Sequence, residues 1–353
     1  MDYAFFEKLA NTYQIPILDV LFIALNRYGI LADTQENRLR FKVRFTDHSP
    51  ETFYLALCLN TYDSPFSLRD NSIYLGSSKI ADIFDIEKDT CDSTYFRRNK
   101  TELTLNSNLR SQCKGCTFCA TYKLAADDVK LTSEDRLRDY IKCLLITNHI
   151  EDLSHLVRVT VCTGCFESET ELVEHLVMVR KVLAEFQFTK RLRYIGAQLQ
   201  SASAFERISK AGGPFSLSFT VECFSGREKI LRKKKALGLR EICKVLDVAH
   251  ASGAATNILY ILGFDSLSVL KENFMELKGH LDRYPIIQVF QNFTKEQESA
   301  RIDEARALDY YLSARNILED VFADFQARPR SWENYRGLWY TTYQNKKHCC
   351  IRI

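Results

Sequence analysis

The spacing of hydrophobic positions along the chain changes near residue 100. Before that point, residues 5–31 carry apolar side chains at helical spacing. Residues 38–45 then alternate strictly between basic and apolar side chains, which is typical of a half-buried strand. Residues 52–59 and 71–75 favour further strands. Together these patterns predict a small N-terminal α+β module over residues 1–99.

From residue 101 onward, short apolar runs alternate with amphipathic stretches of helical length, which is typical of parallel strands joined by crossover helices. The predicted strands cover residues 102–106, 157–162, 191–197, 216–221, 255–262 and 286–291. The predicted helices cover residues 133–145, 169–186, 202–210, 239–251 and 268–281. Because a complete barrel of this kind needs eight strand-helix units, six units predict an α/β fold with a partial (β/α)6 TIM-like barrel and a lateral opening.

The apolar spacing after the sixth run predicts one long closing helix over residues 298–325. The barrel unit therefore covers residues 100–326, and residues 327–353 form a short C-terminal extension. Within this extension, residues 338–343 favour a strand.

Composition narrows the class of protein. The 353 residues are 46% hydrophobic and 26% charged, which is typical of a globular chain. A formal net charge of +3 gives no support for nucleic-acid binding. The first residues contain no basic segment of a secretion signal, and the apolar stretch 15–32 is interrupted by Asp19, Asn26 and Arg27. We therefore expect no membrane span and a cytoplasmic location.

Cysteine is the most informative residue type. The chain has 12 cysteines, and three of them, Cys113, Cys116 and Cys119, lie in the loop after the first predicted barrel strand. Parallel α/β barrels build their sites at this end of the strands. Three thiolates hold a four-iron cluster and leave one iron open, whereas a zinc site needs a fourth ligand, for which Cys162 and Cys165 are available.

Further residues follow in order at the ends of the predicted strands: Phe118, Thr163, Gly164, Glu222, Arg227, Leu262, Gly263 and Gln288. With the cysteine loop, this ordered set resembles the radical S-adenosylmethionine (radical SAM) superfamily over residues 101–325. Two features depart from the family pattern. The first cysteine gap is one residue shorter than the usual CxxxCxxC, and Cys162 replaces a glycine of the segment that binds the methionine amine.

The resemblance implies a [4Fe-4S] cluster on Cys113, Cys116 and Cys119, with S-adenosylmethionine bound at the open iron by the eight residues named above. It also implies a one-electron donor such as ferredoxin or flavodoxin. Reductive cleavage of S-adenosylmethionine would give a 5'-deoxyadenosyl radical that removes hydrogen from an unactivated carbon.

Three other thiols, Cys162, Cys165 and Cys223, fall at the carboxyl ends of predicted strands. This is the end of the barrel that also carries the cysteine loop, and we call it the mouth. A thiol there is able to return a hydrogen atom to a substrate. The alternative interpretation is a small packed hydrophobic side chain, which is the commoner role of an unpaired cysteine.

Three functions remain open from the sequence. The first is maturation of a ribosomally made precursor peptide, with a separate recognition protein supplying peptide binding. The second is the same radical chemistry on a small natural-product intermediate, such as epimerisation, dehydration or rearrangement. The third, of another class, is a zinc-stabilised binding protein that uses the same three cysteines and one of Cys162 or Cys165.

Overall fold

The computed structural model describes residues 1–34, 36–46, 51–60, 63–88, 95–97, 100–107, 115–119, 131–231, 237–330 and 336–347. Two sheets dominate this part of the chain. The first is a closed six-stranded barrel near the N-terminus, and the second is an open seven-stranded sheet.

Two helices precede the closed barrel: α1, Tyr3–Tyr13, and α2, Ile17–Tyr28. The helical spacing over residues 5–31 therefore corresponds to two helices. Pro16, the N-cap of α2, separates them. The six strands of the closed barrel are β1 Ile30–Leu31, β2 Arg38–Phe45, β3 Phe53–Asn60, β4 Phe66–Arg69, β5 Ser72–Leu75 and β6 Ser78–Lys88. They pair in the order β1-β3-β2-β6-β5-β4.

The closed barrel encloses apolar side chains. Phe41 and Val43 of β2, Leu55 and Leu57 of β3, and Ile73 of β5 are all fully buried. The strict alternation in β2 explains this arrangement, since successive side chains of a strand point to opposite faces. The basic residues of β2 consequently share the outer face.

The N-terminal helices are tied to the C-terminal part of the chain. Asp19 of α2 is fully buried and forms an ion pair with Arg315 at 2.7 Å. The same carboxylate accepts hydrogen bonds from the backbone N–H groups of Thr341 and Thr342 at 2.7 and 3.2 Å. A buried pair of this kind depends on such additional hydrogen bonds, because its charges have left water.

The open sheet contains seven strands in chain order: β7 Tyr95–Arg97, β8 Glu102–Leu105, β9 Arg158–Cys162, β10 Arg191–Gly196, β11 Phe215–Glu222, β12 Ala255–Leu262 and β13 Ile286–Val289. Strands β8 to β13 are parallel, and β7 pairs antiparallel at one edge. The connecting helices are α3 Glu134–Asn148, α4 Glu169–Glu185, α5 Ala202–Lys210, α6 Arg227–Ile230, α7 Leu239–Ala251 and α8 Leu267–Leu277. These six parallel strands confirm the predicted partial barrel.

The two faces of the open sheet differ in polarity. Leu103, Val159, Leu217 and Ile258 lie on the face that shares its core with the crossover helices. The opposite face carries buried polar side chains: Glu102, Thr104, Arg158, Thr160, Arg193, Ser216, Ser218, Thr220, Asn257 and Gln288.

The closing segment is not the single helix predicted over residues 298–325. It consists of α9 Lys295–Glu298, a 3-10 turn at Glu304–Arg306, and α10 Leu308–Val321. The chain leaves the helix after Glu298 because the Ile302 N–H donates to the Gly263 carbonyl at 3.0 Å, which draws this stretch toward the end of β12.

The C-terminal strand is shorter than predicted. Of the predicted residues 338–343, only Thr342–Tyr343 form a strand, β14. It pairs with β15, Lys346–Lys347. Among the described residues, no single helix is long and apolar enough to cross a membrane. Helices α1 and α2, bent by 115° at their junction, meet the length and composition criteria only as a pair.

Candidate active site

The cysteine-bearing loop starts at the carboxyl end of β8. Ser107 precedes it, and Leu131 follows it and donates its N–H to the Ser107 carbonyl at 3.1 Å. The Ser107 hydroxyl is buried in hydrogen-bonding contact with His175 Nε2 of α4, at 2.6 Å. These contacts fix the base of the loop. Between them the structure describes Gly115 to Cys119, and Cys113 lies outside the described residues.

Cys116 and Cys119 occupy one turn of the loop. The Cys119 N–H donates to the Cys116 carbonyl at 2.9 Å, and both residues are half-buried. Between them, the Thr117 N–H donates to the Ile230 carbonyl at 3.0 Å and its hydroxyl donates to the Lys229 carbonyl at 2.8 Å. The turn is thereby attached to α6, which follows β11.

Apolar contacts hold the same turn against the strand ends. Cys116 and Phe118 pack on a buried cluster that includes Cys223, Phe264 and Phe290. The rings of Phe118 and Phe264 are 6.0 Å apart between centroids. Phe118, one of the residues predicted to bind S-adenosylmethionine, therefore lies over the carboxyl ends of β12 and β13.

Glu222 ends β11 in an unusual conformation. The register with β12 shifts between Thr220 and Glu222, and Glu222 has a φ of 68°, in the left-handed region that disfavours residues other than glycine. Its side chain is only 4% exposed. Buried carboxylates and strained backbone concentrate at functional sites, which supports a role for this residue.

Arg227 supports the bulge at Glu222. Its Nη1 donates to the carbonyls of Val221 and Cys223, at 2.7 and 2.5 Å. The guanidinium thus binds the backbone on both sides of Glu222. The direct contact between Arg227 and a cofactor stays a prediction, and the two hydrogen bonds show that this side chain also holds the backbone around Glu222.

Asp265 organises the same corner and was missed by sequence analysis. This fully buried carboxylate accepts the N–H groups of Phe224 and Ser225 at 2.8 and 2.7 Å, the Ser225 hydroxyl, and the Tyr260 hydroxyl at 2.6 Å. Burial raises the pKa of Tyr260 well above its usual value, so its hydroxyl remains a donor. Asp265 therefore joins the chain after β11 to the end of β12. The signal available in the sequence was an acidic residue three positions after a predicted apolar strand.

The loop after β9 holds Thr163 and Gly164. The Thr163 hydroxyl donates to the Gly164 carbonyl at 2.7 Å. Gln198, after β10, accepts the Phe166 N–H at 2.9 Å and donates to the Phe166 carbonyl at 2.8 Å. This side chain fixes the loop that also carries the half-buried Cys162 and Cys165.

Gly263 is required where the chain leaves β12. Its φ is 128°, and a Cβ there would lie 3.2 Å from Phe290 Cβ. The neighbouring Leu262 side chain packs in the core on the helix side, so only its backbone reaches the mouth. Gln288 lies on the polar face of β13 and is 9% exposed.

Cys223 differs from the other two thiols proposed as hydrogen donors. It is fully buried, and burial, followed by the nearby Asp265 carboxylate, raises the pKa of its thiol to about 12. Cys223 is therefore protonated at neutral pH. It lies in the cluster that contacts Cys116 and Phe118.

The described part of the chain places the turn with Cys116 and Cys119 near the end of β11, which carries the buried Thr220 and Glu222. The Thr220 Oγ1 has no hydrogen-bond partner among the described residues. No group of three potential metal ligands is found within those residues, which exclude Cys113.

No family model matches the chain, and no curated protein matches it. Among solved structures, it is similar to coproporphyrinogen III oxidase (HemN) from Escherichia coli, a radical SAM enzyme, at 15% identity and a TM-score of 0.43 over 63% of this chain and 51% of that one. It is also similar to the FeFe-hydrogenase maturase HydG from Carboxydothermus hydrogenoformans, at 15% identity and a TM-score of 0.44 over 73% of this chain and 64% of that one.

A third structure, the radical S-adenosylmethionine methyltransferase TsrM from Kitasatospora setae, has a TM-score of 0.37 at 8% identity over 54% of this chain and 36% of that one. This chain thus spans less than two thirds of each of these proteins. All three TM-scores are below 0.5, so the fold and site described above stand on this chain's own geometry.

Proposed function

We propose that this chain is a radical SAM enzyme that binds a [4Fe-4S] cluster through Cys113, Cys116 and Cys119. The observation that carries the proposal is the position of the described cysteine turn. Thr117 and Phe118 attach it over the carboxyl ends of β11 to β13, where parallel α/β folds bind their ligands.

The surrounding residues fit the two proposed cofactors. A cluster held by three thiolates needs a loop with closely spaced cysteines, and Cys116 and Cys119 lie in one turn. S-adenosylmethionine carries hydroxyl and ammonium donors, which match the buried Glu222 carboxylate and the Thr220 hydroxyl. When bound, the pair supplies a radical able to abstract hydrogen from an unactivated carbon.

The chain's own residues would position and shield the ligands. Glu222 would accept hydrogen bonds from a bound nucleoside, with Arg227 and Asp265 holding the backbone around it. Phe118 and Phe264 would exclude water from the reacting atoms. These contributions are orientation and a dry environment.

Formation of 5'-deoxyadenosine tests the proposal. Anaerobically reconstituted and reduced protein should release this product from S-adenosylmethionine, and the Cys113→Ala/Cys116→Ala/Cys119→Ala variant should fall to the background rate. Cys143→Ala is the matched control, because Cys143 is exposed on α3, outside the cysteine loop. Wild-type rates in the triple variant, with native circular dichroism, would show that the cysteines have been misassigned.

For the substrate, we propose a precursor peptide, on the sequence grounds of an open six-unit sheet and a separate N-terminal module. The C-terminal segment does not add support. Its Leu338, Trp339 and Tyr340 are buried, and β14 is already paired with β15. Product analysis with candidate peptides and with small natural-product intermediates separates the two substrate classes.

The three mouth thiols are proposed hydrogen donors for a redox-neutral inversion. Single alanine variants at Cys162, Cys165 and Cys223, assayed in deuterated water, test this role. Loss of solvent deuterium from the product in one variant would identify the donor. Product that never contains solvent deuterium would exclude all three.

A further inference from the structure

A short segment after β13 lies between the N-terminal helices and the turn that carries two of the cysteines. It runs from Gln291 to Arg301 and includes α9. We call residues 291–301 the bridge segment, and residues 116–119 the cysteine turn. Thr294 is the N-cap of α9, and its hydroxyl accepts the Gln297 N–H at 3.2 Å. This cap fixes where the helix begins and so the direction of the side chains that follow.

One side of the bridge segment contacts the cysteine turn. Gln297 Nε2 donates to the Thr117 carbonyl at 3.3 Å. The Gln297 Oε1 accepts the Phe293 N–H at 2.8 Å, so both ends of this amide have partners. Ala300 packs against the same buried cluster as Cys116. The cysteine turn is therefore attached to the bridge segment as well as to α6.

The other side of the bridge segment contacts helix α2 of the N-terminal module. Glu298, the residue after Gln297, forms an ion pair with Arg27 at 2.9 Å. The Arg27 side chain is largely buried, and its Nε also donates to the Ala305 carbonyl at 3.2 Å. Arg301 Nε binds the same carboxylate of Glu298, at 3.0 and 3.1 Å. Neighbouring residues of one short helix thus contact the N-terminal module and the cysteine turn.

Further hydrogen bonds fix both ends of the bridge segment. At its start, Gln291 Nε2 donates to Asn26 Oδ1 of α2 at 2.9 Å. At its end, the buried Arg301 donates to Asn292 Oδ1 at 3.1 Å and to the Tyr311 hydroxyl of α10. Hydrogen-bond and ion-pair networks of this kind carry energetic coupling between distant parts of a protein. A displacement of α2 would therefore also displace α9.

We propose that Gln297 is a positioning residue for the cysteine turn, and that the N-terminal module acts on it through Arg27 and Glu298. The proposal rests on the proposed function in that Cys116 and Cys119 are taken as cluster ligands. A four-iron cluster needs closely spaced thiolates, and residues beyond the ligands keep metal ligands oriented. The N-terminal module would thereby contribute to the site as well as to stability.

Cysteine alkylation of the full chain before reconstitution tests the positioning without a bound cluster. Iodoacetamide labelling under reducing conditions, followed by peptide mass spectrometry, gives a rate for each thiol. Gln297→Glu keeps the acceptor for the Phe293 N–H and loses the donor to the Thr117 carbonyl, so the turn should open more often. We expect labelling of Cys116 and Cys119 to become about fivefold faster, the effect of losing one hydrogen bond.

Arg27→Gln tests the contribution of the N-terminal module. Glu298 keeps Arg301 as its partner, so this variant should fold. Labelling of the cysteine turn should become about twofold faster, as expected for the loss of one ion pair. The double variant with Gln297→Glu should label at the rate of Gln297→Glu alone, because both changes act on the same contact. Effects that multiply to about tenfold would contradict the connection through α9.

Two other cysteines of the chain separate positioning from a general loss of stability. Cys143 is exposed on α3, and Cys243 is buried in α7. Both should label at their wild-type rates in every variant. Gln187→Glu, an exposed change after α4, is the control variant and should label as the wild type does. Wild-type labelling of the cysteine turn in Gln297→Glu, or a parallel rise at Cys243, would overturn the proposal.

Iron release separates this proposal from the proposed function. Reconstituted Gln297→Glu should lose iron to a chelator about fivefold faster than the reconstituted wild type, because the open turn exposes the ligands. Equal release from the two chains would overturn the role of Gln297 toward the cluster. A wild type that binds no iron would reject the proposed function, and the labelling rates would still decide whether Gln297 positions the cysteine turn.

Discussion

The two sheets of this chain enclose opposite kinds of side chains. The closed barrel is filled by apolar residues such as Phe41, Leu55 and Leu57, all fully buried. The open sheet has polar and charged residues on the face away from its helices, among them Arg193 and Asn257. Burying polar groups costs free energy that apolar packing does not. From this difference we expect the closed barrel to contribute mainly stability and the open sheet to bind the ligands.

The closed barrel also supports the mouth of the open sheet. Gln291, just after β13, donates to the Ala56 carbonyl of β3 at 2.9 Å, and the Cys58 thiol donates to the Asn292 carbonyl at 3.2 Å. The end of β13 is thus held in place by a neighbour whose own core is apolar. Under the proposed function, stability and chemistry would be divided between the two sheets.

The largest effect expected on stability comes from the closed barrel. Leu57→Ala removes a fully buried side chain, so we expect the free energy of unfolding to fall by about 2–5 kcal/mol. Urea denaturation measures this loss. Iron content and S-adenosylmethionine affinity should be unchanged in the fraction that remains folded. A large loss of cofactor affinity without a loss of stability would break the division between the two sheets.

Lowering the pH should reduce the free energy of unfolding through His175 of α4. Burial lowers the pKa of His175 to about 4, so the folded chain keeps it neutral, whereas in the unfolded chain its pKa is about 6.5. Stability is therefore unaffected above about pH 6.5 and falls by about 3 kcal/mol as the pH drops to about 4. Denaturation at pH 7 and pH 5 measures the slope.

His175→Gln should flatten this pH dependence, whereas His280→Gln, a half-buried histidine in an ion pair with Asp247, should leave most of it. An unchanged slope in the first variant would show that another group carries the acid sensitivity.

The smallest expected change affects binding rather than folding. Glu222→Gln should weaken S-adenosylmethionine affinity about tenfold, or about 1.4 kcal/mol, while the iron content stays constant. Anaerobic titration calorimetry measures the affinity. Glu206→Gln, an exposed change on α5, is the control. Equal affinities for the Glu222 variant and the wild type would remove Glu222 from the site.

The elements with strong periodicity were predictable. The alternation at residues 38–45 matches β2, and the apolar spacing at residues 239–251 matches α7. The prediction of a single closing helix was wrong, because the hydrogen bond from the Ile302 N–H to the Gly263 carbonyl outweighs the helical spacing of apolar residues there. Asp265 lacks a motif, since its importance depends on partners from β12 and from the chain after β11.

Iron bound per chain tests the central claim most directly, because the cysteine loop is the feature that sets the open sheet apart from the closed barrel. Anaerobic reconstitution with iron and sulfide should give about four irons per wild-type chain and per Cys143→Ala chain. The Cys113→Ala/Cys116→Ala/Cys119→Ala variant should bind essentially none. A triple variant that retains the wild-type iron content, or a wild type that binds one zinc and no iron, would contradict the account.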